Sequence, residues 1–163
     1  MATEAEMRMH RCCFTGHRPQ KLKRPEWIVK LALEKEIKLA IKDGFTVFIS
    51  GMAQGVDIWA AEIVLRLRSK GQPIRLICAS PFEGFEKRWD SEWQSRYNEI
   101  LAAADYVTFV SQKYSPACFQ IRNEWMVRHA SRVIAVFNGE PSGTKNTIDF
   151  AEQQNVPVRI IEG

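Results

Sequence analysis

Short runs rich in β-branched and aromatic residues recur along this chain at residues 11–15, 45–50, 73–79, 105–110, 132–138 and 157–161. Their ends fall about 30 residues apart, the length of a repeated strand–helix–strand unit. The segments between them carry helical signals. The first, residues 25–43, opens at Pro25, stops before Gly44 and holds a stripe of Val29, Leu33, Ile37, Ala40 and Ile41. Further helical segments fall at residues 55–70, 87–104, 117–130 and 143–155. Right-handed crossovers make the strands of such units run parallel, with helices covering both faces. A single doubly wound α/β domain with a mainly parallel sheet is therefore expected over residues 11–163, after a flexible N-terminal segment, residues 1–10. A chain of 163 residues can bury such a core without disulfide or metal staples.

Ligands of open α/β sheets bind beyond the carboxyl ends of the strands, so those ends are where function is read. The first strand is followed by Thr15-Gly16-His17-Arg18, and the second by Ser50-Gly51-Met52-Ala53-Gln54-Gly55-Val56-Asp57. The third meets Ser80-Pro81-Phe82, the fourth Ser111-Gln112-Lys113-Tyr114, and the fifth a loop ending in Ser142-Gly143-Thr144. A strand that turns through glycines into a helix presents N–H groups with no intrahelical partner. The helix dipole adds partial positive charge there, and the combination suits a phosphate. Two such turns on one edge, with Gly16, His17 and Arg18 beside them, point to a nucleotide or nucleotide-derived ligand. Arg122, in the first turns of the fourth helix, adds a guanidinium able to grip phosphate bidentately.

Each feature also has a purely structural reading. Gly16 and Gly51 permit tight turns. Asp57 sits in a first helical turn, where carboxylates cap free N–H groups; the alternative is a ribose hydroxyl or an ordered water. Ser142-Gly143-Thr144 resembles an N-cap as much as a phosphate cradle. Trp89, Trp93, Tyr97 and Leu101 recur every four residues, as a core stripe does, while Phe82, Phe85 or Trp89 could instead stack on a base. The conjunction of these features on one edge carries the functional reading.

Charge narrows the partners. With 23 basic and 19 acidic residues the net charge is only +4, mildly favourable to anionic ligands and far from a dedicated duplex-DNA binder. Arg18, Lys21, Lys23 and Arg24 form the one basic cluster, a solvated loop or a nucleic-acid contact. No apolar leader precedes His10 and no run approaches the ~20 residues of a membrane span, so a cytoplasmic protein is expected. Cys12, Cys13, Cys78 and Cys118 lack metal-ligand spacing; buried, reduced thiols are expected, and no metal site. Apolar helix faces and five tryptophans would allow a homodimer.

Thr15-Gly16-His17-Arg18, the S-G-x-A-x-G-V-D turn at 50–57, Arg122-Asn123-x-x-Met126 and Ser142-Gly143-Thr144 stand in the order and spacing of the SLOG superfamily. The chain resembles this Rossmann-like group, which contains DNA-processing protein A and the lonely-guy phosphoribohydrolases, from Arg11 onward. Pro81-Phe82-Glu83, Arg88-Trp89 and Trp93 resemble its small YpsA-like branch. The resemblance implies a nucleotide-derived ligand, ADP-ribose-like or a monophosphate. Its site would comprise Gly16, His17, Arg18, Ser50, Gly51, Gln54, Gly55, Asp57, Arg122, Asn123, Ser142, Gly143 and Thr144. Binding or sensing is the expected role.

Two other roles follow from the relatives. The phosphoribohydrolases resemble P-G-G-x-G-T-x-x-E, whose glutamate supports cleavage of the N-glycosidic bond. Here Gly143-Thr144 is retained, but Thr147 takes the glutamate's place and Glu140-Pro141 the glycine pair's. Arg122 matches their active-site arginine; Asp57, Glu124 or Glu140 would have to supply the carboxylate such chemistry needs. Single-stranded DNA binding, as in DNA-processing protein A, is the other alternative.

Overall fold

The computed structural model describes residues 1–163. Helix α1 (Glu4–Arg8) precedes β1 (Arg11–Thr15), and α2 (Glu26–Lys42) leads to β2 (Val47–Ser50). There follow α3 (Val56–Ser69), β3 (Arg75–Ser80), α4 (Ser91–Ala103), β4 (Tyr106–Phe109), α5 (Cys118–Arg128), β5 (Arg132–Phe137), α6 (Gly143–Gln153) and β6 (Val158–Glu162). The six strands form one sheet in the order β4-β3-β2-β1-β5-β6, every neighbouring pair parallel. The expectation of a doubly wound α/β sheet holds, and the sheet is parallel throughout. No helix is long and apolar enough to cross a membrane.

The period of two along each strand divides the core into two layers. Cys12, Phe14, Phe48, Leu76, Cys78, Ile134 and Val136 face α2, α3 and α4, where they meet Leu33, Ile58, Trp59 and Tyr97. Cys13, Ile49, Ala79, Val133 and Ala135 face α5 and α6, against Met126, Val127, Ile148 and Ala151. The adjacent Cys12 and Cys13 thus point to opposite faces, and all four cysteines are buried free thiols. Burial pushes the Cys13 and Cys78 thiols up to about 12, so they stay protonated and act as small apolar groups.

One segment departs from the sequence reading. The helix expected from Lys87 begins only at Ser91, after Asp90 in an extended conformation. Residues 82–89 form turns and bends, helped by Gly84 at φ +89°. Trp89 therefore lies outside the helical repeat and packs edge-on against Phe85 and Tyr97, at 4.9 and 5.4 Å between centroids. Within the N-terminal segment expected to be flexible, Glu4–Arg8 form a helix closed by a Thr3–Glu6 capping box. Arg8 donates to the Ala130 and Val127 carbonyls, at 3.0 and 3.2 Å.

Candidate nucleotide cleft at the strand-order reversal

From β1 the chain steps outward through β2 and β3 to β4, then returns to pair β5 with the other side of β1. The loops leaving β1 and β5 therefore diverge, and a cleft opens at their carboxyl ends. Its volume of about 320 Å³ falls within the range of small-molecule sites. Gly16, His17 and Arg18 line it from β1, Asp57 from α3, Arg122 and Asn123 from α5, and Ser142, Gly143 and Thr144 from α6.

The α6 end is open. Ser142 caps the helix, its Oγ accepting the Lys145 N–H at 3.2 Å. The N–H groups of Gly143 and Thr144 have no acceptor within the chain. They are the kind of unpaired helix-terminal donors that hold anions. Of the four cations between residues 18 and 24, Lys23 pairs with Glu140 at 3.3 Å and Arg24 pairs with Glu162. Arg18 and Lys21 pair with no carboxylate and line the cleft, exposed at its rim.

His17 is not the anion-facing cation that its place beside Arg18 suggests. It is buried, and its Nε2 accepts the Asn138 N–H at 3.1 Å, so that nitrogen carries no proton. Burial holds its pKa below the usual imidazole value. The ring is a neutral tie between the loops after β1 and β5.

The glycine turn after β2, expected as a phosphate cradle, has several of its groups engaged by the protein itself. Ser50 is fully buried; its hydroxyl donates to the Asp57 carbonyl at 2.8 Å and accepts the Met52 N–H at 3.2 Å. The Ala53 N–H donates to Asp57 Oδ2 at 3.3 Å, and the Val56 N–H to the His17 carbonyl at 3.4 Å. Gly55, at φ +91°, lies where a Cβ would come 2.6 Å from the His17 carbonyl oxygen and 2.8 Å from Pro19 Cδ. A Cβ on Gly51 would meet the Arg122 guanidinium at 3.0 Å. Of this turn only Ala53 and Asp57 line the cleft; Ser50, Gly51, Gln54 and Gly55 do not.

Arg122 and Asp57 form the buried electrostatic centre. The Arg122 guanidinium donates through Nε to Asn123 Oδ1 at 2.8 Å and through Nη1 to the Gly51 carbonyl. Desolvation lowers its pKa, while the nearby Asp57 carboxylate opposes that shift. Asp57 is 4% exposed, and burial raises its pKa to about 6, against the lowering pull of Arg122 and of the Ala53 N–H. Its Oδ1 is buried without a hydrogen-bond partner.

Phe85 and Phe119, with ring centroids 5.6 Å apart, form the apolar flank of the cleft. Phe85 is one of the rings that the sequence offers for stacking; Phe119 is not, because its position on α5 carries no motif. Gln20 and Lys21 also line the cleft through the helical turn Pro19–Lys21. Glu124 lies elsewhere on α5, its carboxylate accepting Gln120 Nε2 at 3.0 Å and pairing with Arg128 at 3.4 Å. Glu140 is exposed and held by Lys23. Of the candidate carboxylates, Asp57 alone lines the cleft.

Known proteins match this arrangement along nearly its whole length. The chain is 32% identical over 161 residues to a UPF0398 protein of Macrococcus caseolyticus, covering 91% of this chain and 87% of that protein. DNA processing protein A of Helicobacter pylori shares the fold with a TM-score of 0.67 at 20% identity, over 98% of this chain and 68% of that one. The Streptococcus pneumoniae protein of the same name gives 0.68 at 18% identity, over 96% of this chain and 52% of that one. The YpsA family model, described as the YspA SLOG family, matches residues 12–162, and the chain belongs to that family.

Proposed function

We propose that this protein binds a nucleotide or nucleotide-derived ligand, a monophosphate or an ADP-ribose-like species, in the cleft between the β1 and β5 loops. One observation carries the reading. The unengaged N–H groups of Gly143 and Thr144, the unpaired cations Arg18 and Lys21, and the Phe85–Phe119 flank share a single cleft of about 320 Å³. Phosphate would sit on the α6 N-terminus between the two cations, and the base against the two rings. Calorimetric titration with AMP and with ADP-ribose tests this. Saturable binding that weakens tenfold or more in the Arg18→Ala/Lys21→Ala protein is the expected result. Failure of both ligands to bind would remove the reading.

Hydrolysis of a nucleoside monophosphate to base and ribose phosphate is the second reading, favoured by the buried Asp57 carboxyl beside Arg122. Incubation with AMP and CMP followed by chromatography for free base separates the two. Release of base makes the protein a hydrolase; saturable binding without release makes it a binding or sensing module. Nucleic acid is less well served. The Helicobacter pylori neighbour is described as binding single-stranded DNA, but here Lys23 and Arg24 are committed to Glu140 and Glu162. An oligonucleotide affinity falling steeply with salt would support that role, and a flat or absent response would exclude it.

A further inference from the structure

We propose that Asp57 is a specificity residue of the cleft, its Oδ1 accepting a hydroxyl of the ligand's ribose, so that phosphorylated ribose is selected over a deoxygenated sugar. The inference rests on the nucleotide reading above and adds to it a named recognition contact. One oxygen of the Asp57 carboxylate lacks a donor. An ionised carboxylate offers about four acceptor positions, yet Asp57 receives only the Ala53 N–H, on Oδ2 at 3.3 Å. Oδ1 is buried and has no partner. Buried polar atoms are nearly always satisfied, so an exception at the wall of a cleft calls for a donor from the ligand.

Capping, metal binding and charge pairing do not account for that oxygen. As a helix cap Asp57 would accept N–H groups of α3's own first turn; instead its one bond runs backward into the preceding loop, and Gly55 holds the cap position. Three His, Cys, Asp or Glu side chains placed to hold a metal ion occur nowhere in the molecule. Arg122 already supplies the positive charge that a buried carboxylate requires. What Oδ1 lacks is a neutral donor.

Strand order indicates which donor. Along the rim, the α6 N-terminus follows β5, Arg18 follows β1, Asp57 follows β2, and Phe85 and Phe119 follow β3 and β4. All of these groups line the cleft, and the strand order ranks them as open amides and cations, then the carboxylate, then the aromatic rings. A nucleotide has the same order of chemistry, with phosphate, sugar and base in a line. Phosphate on α6 and base on the rings bring the sugar hydroxyls opposite Asp57. With a pKa of about 6, Asp57 is mostly ionised at pH 7.5 and available as an acceptor. The orphan oxygen is independent of the α6 terminus, and the two observations converge on one ligand class.

The test is calorimetry on the full chain at pH 7.5 with AMP and with 2′,3′-dideoxy-AMP, in the wild-type and Asp57→Asn proteins. A hydrogen bond to an ionised acceptor predicts that wild-type prefers AMP on the order of 10- to 100-fold. In Asp57→Asn that preference should shrink to roughly threefold or less, as expected for a neutral acceptor. Equal wild-type affinity for the two nucleotides overturns the Asp57 assignment and leaves the cleft as a nucleotide site. A full preference retained in Asp57→Asn also overturns it, by moving the hydroxyl contact to another residue. No binding of either nucleotide, nor of ADP-ribose, removes both readings. Should Asp57→Asn fail to fold, Asp57→Ser takes its place in the same comparison, with the same loss of preference expected and a retained preference again overturning the assignment.

Discussion

Two turns on the same rim of the sheet share a pattern, strand to glycine to helix, and differ in how closely the rest of the fold packs onto them. After β2, Ser50, Asp57 and the His17 carbonyl take up the N–H groups of Met52, Ala53 and Val56, while Arg122 closes over the Gly51 carbonyl. After β5, Ser142 alone caps the helix, and the N–H groups of Gly143 and Thr144 stay open. The glycines differ in the same sense. Protein atoms stand within 3.0 Å of where a Cβ on Gly51 or Gly55 would lie, and nothing stands within 4 Å of one on Gly143. A glycine-rich turn is a packing seam where the fold brings other segments onto it, and an anion cradle where it does not.

Gly55 puts the closed turn to its hardest test. A valine there must adopt φ near +91° and place its Cβ against the His17 carbonyl, a backbone group that cannot swing aside. Strain of this kind combined with overpacking costs about 3–5 kcal/mol. Gly55→Val should therefore lower the urea midpoint severely, a loss of stability before any loss of affinity. A normal midpoint with weakened AMP binding would return this turn to the role of cradle. Arg122→Ala comes next. It strips the Gly51 carbonyl of a buried donor and leaves the Asp57 carboxylate without its compensating charge. A loss of about 3 kcal/mol by denaturant unfolding is expected. A loss under about 1 kcal/mol would mean the guanidinium is held for a ligand and not for the turn.

The sequence made the architecture legible because strand period and spacing are local signals. The alternation of Cys12 and Cys13, the Pro25 and Gly44 ends of α2, and the Ser142 cap could all be read from residues a few places apart. The convergence of Gly16, Arg18, Asp57, Arg122 and Gly143 on one edge followed from the rule for parallel sheets. What stayed hidden depends on pairs distant in the chain. Arg122 lies 71 residues from the Gly51 carbonyl it binds, and Asn138 lies 121 from the His17 nitrogen that accepts its N–H. Those bonds tie two nitrogens of the Arg122 guanidinium to neighbouring groups and make the His17 ring an acceptor. Phe119 enters the cleft only because α5 packs beside the turn after β3, and no short motif records that.

Asp57 belongs to the packed turn yet carries one open atom, and its titration separates the two roles. Its folded pKa of about 6 lies above the ordinary aspartate value of 3.8, mainly through burial. Below about pH 3.8 the carboxyl is protonated in both states, and its contribution to stability is fully present. As pH rises toward 6 the unfolded chain has released a proton that the folded one still holds, so stability falls. Above that the loss is constant, at roughly 3 kcal/mol for a pKa raised by about two. Cys13, the titratable neighbour on β1, remains a thiol throughout, with a pKa of about 12. Asp57→Asn lacks this loss. Urea melts should show its stability relative to wild-type increasing by about 2–3 kcal/mol from roughly pH 3.5 to 7. A difference flat with pH would mean that Asp57 is solvated or better satisfied than its surroundings indicate.

On the open side a substitution should leave the fold almost untouched and still be felt by the ligand. Gly143 is the first residue of α6, a position where proline is well accommodated, and Ser142 before it is extended, at φ −175° and ψ 173°, clear of the α region that a following proline disfavours. Gly143→Pro therefore removes one N–H and leaves the Ser142–Lys145 cap in place. Its melting temperature should stay within a few degrees of wild-type or rise slightly, since proline also restricts the unfolded chain. AMP affinity should fall about tenfold, the value of one hydrogen bond to a charged group. Calorimetry and a thermal melt on the same preparation read both quantities. If affinity and stability are both unchanged, the α6 terminus is only a helix start, and the phosphate must be sought at Arg18 and Lys21 alone. If affinity falls while the fold holds, the two turns have separate tasks: one closes the wall of the cleft, and the other meets the anion.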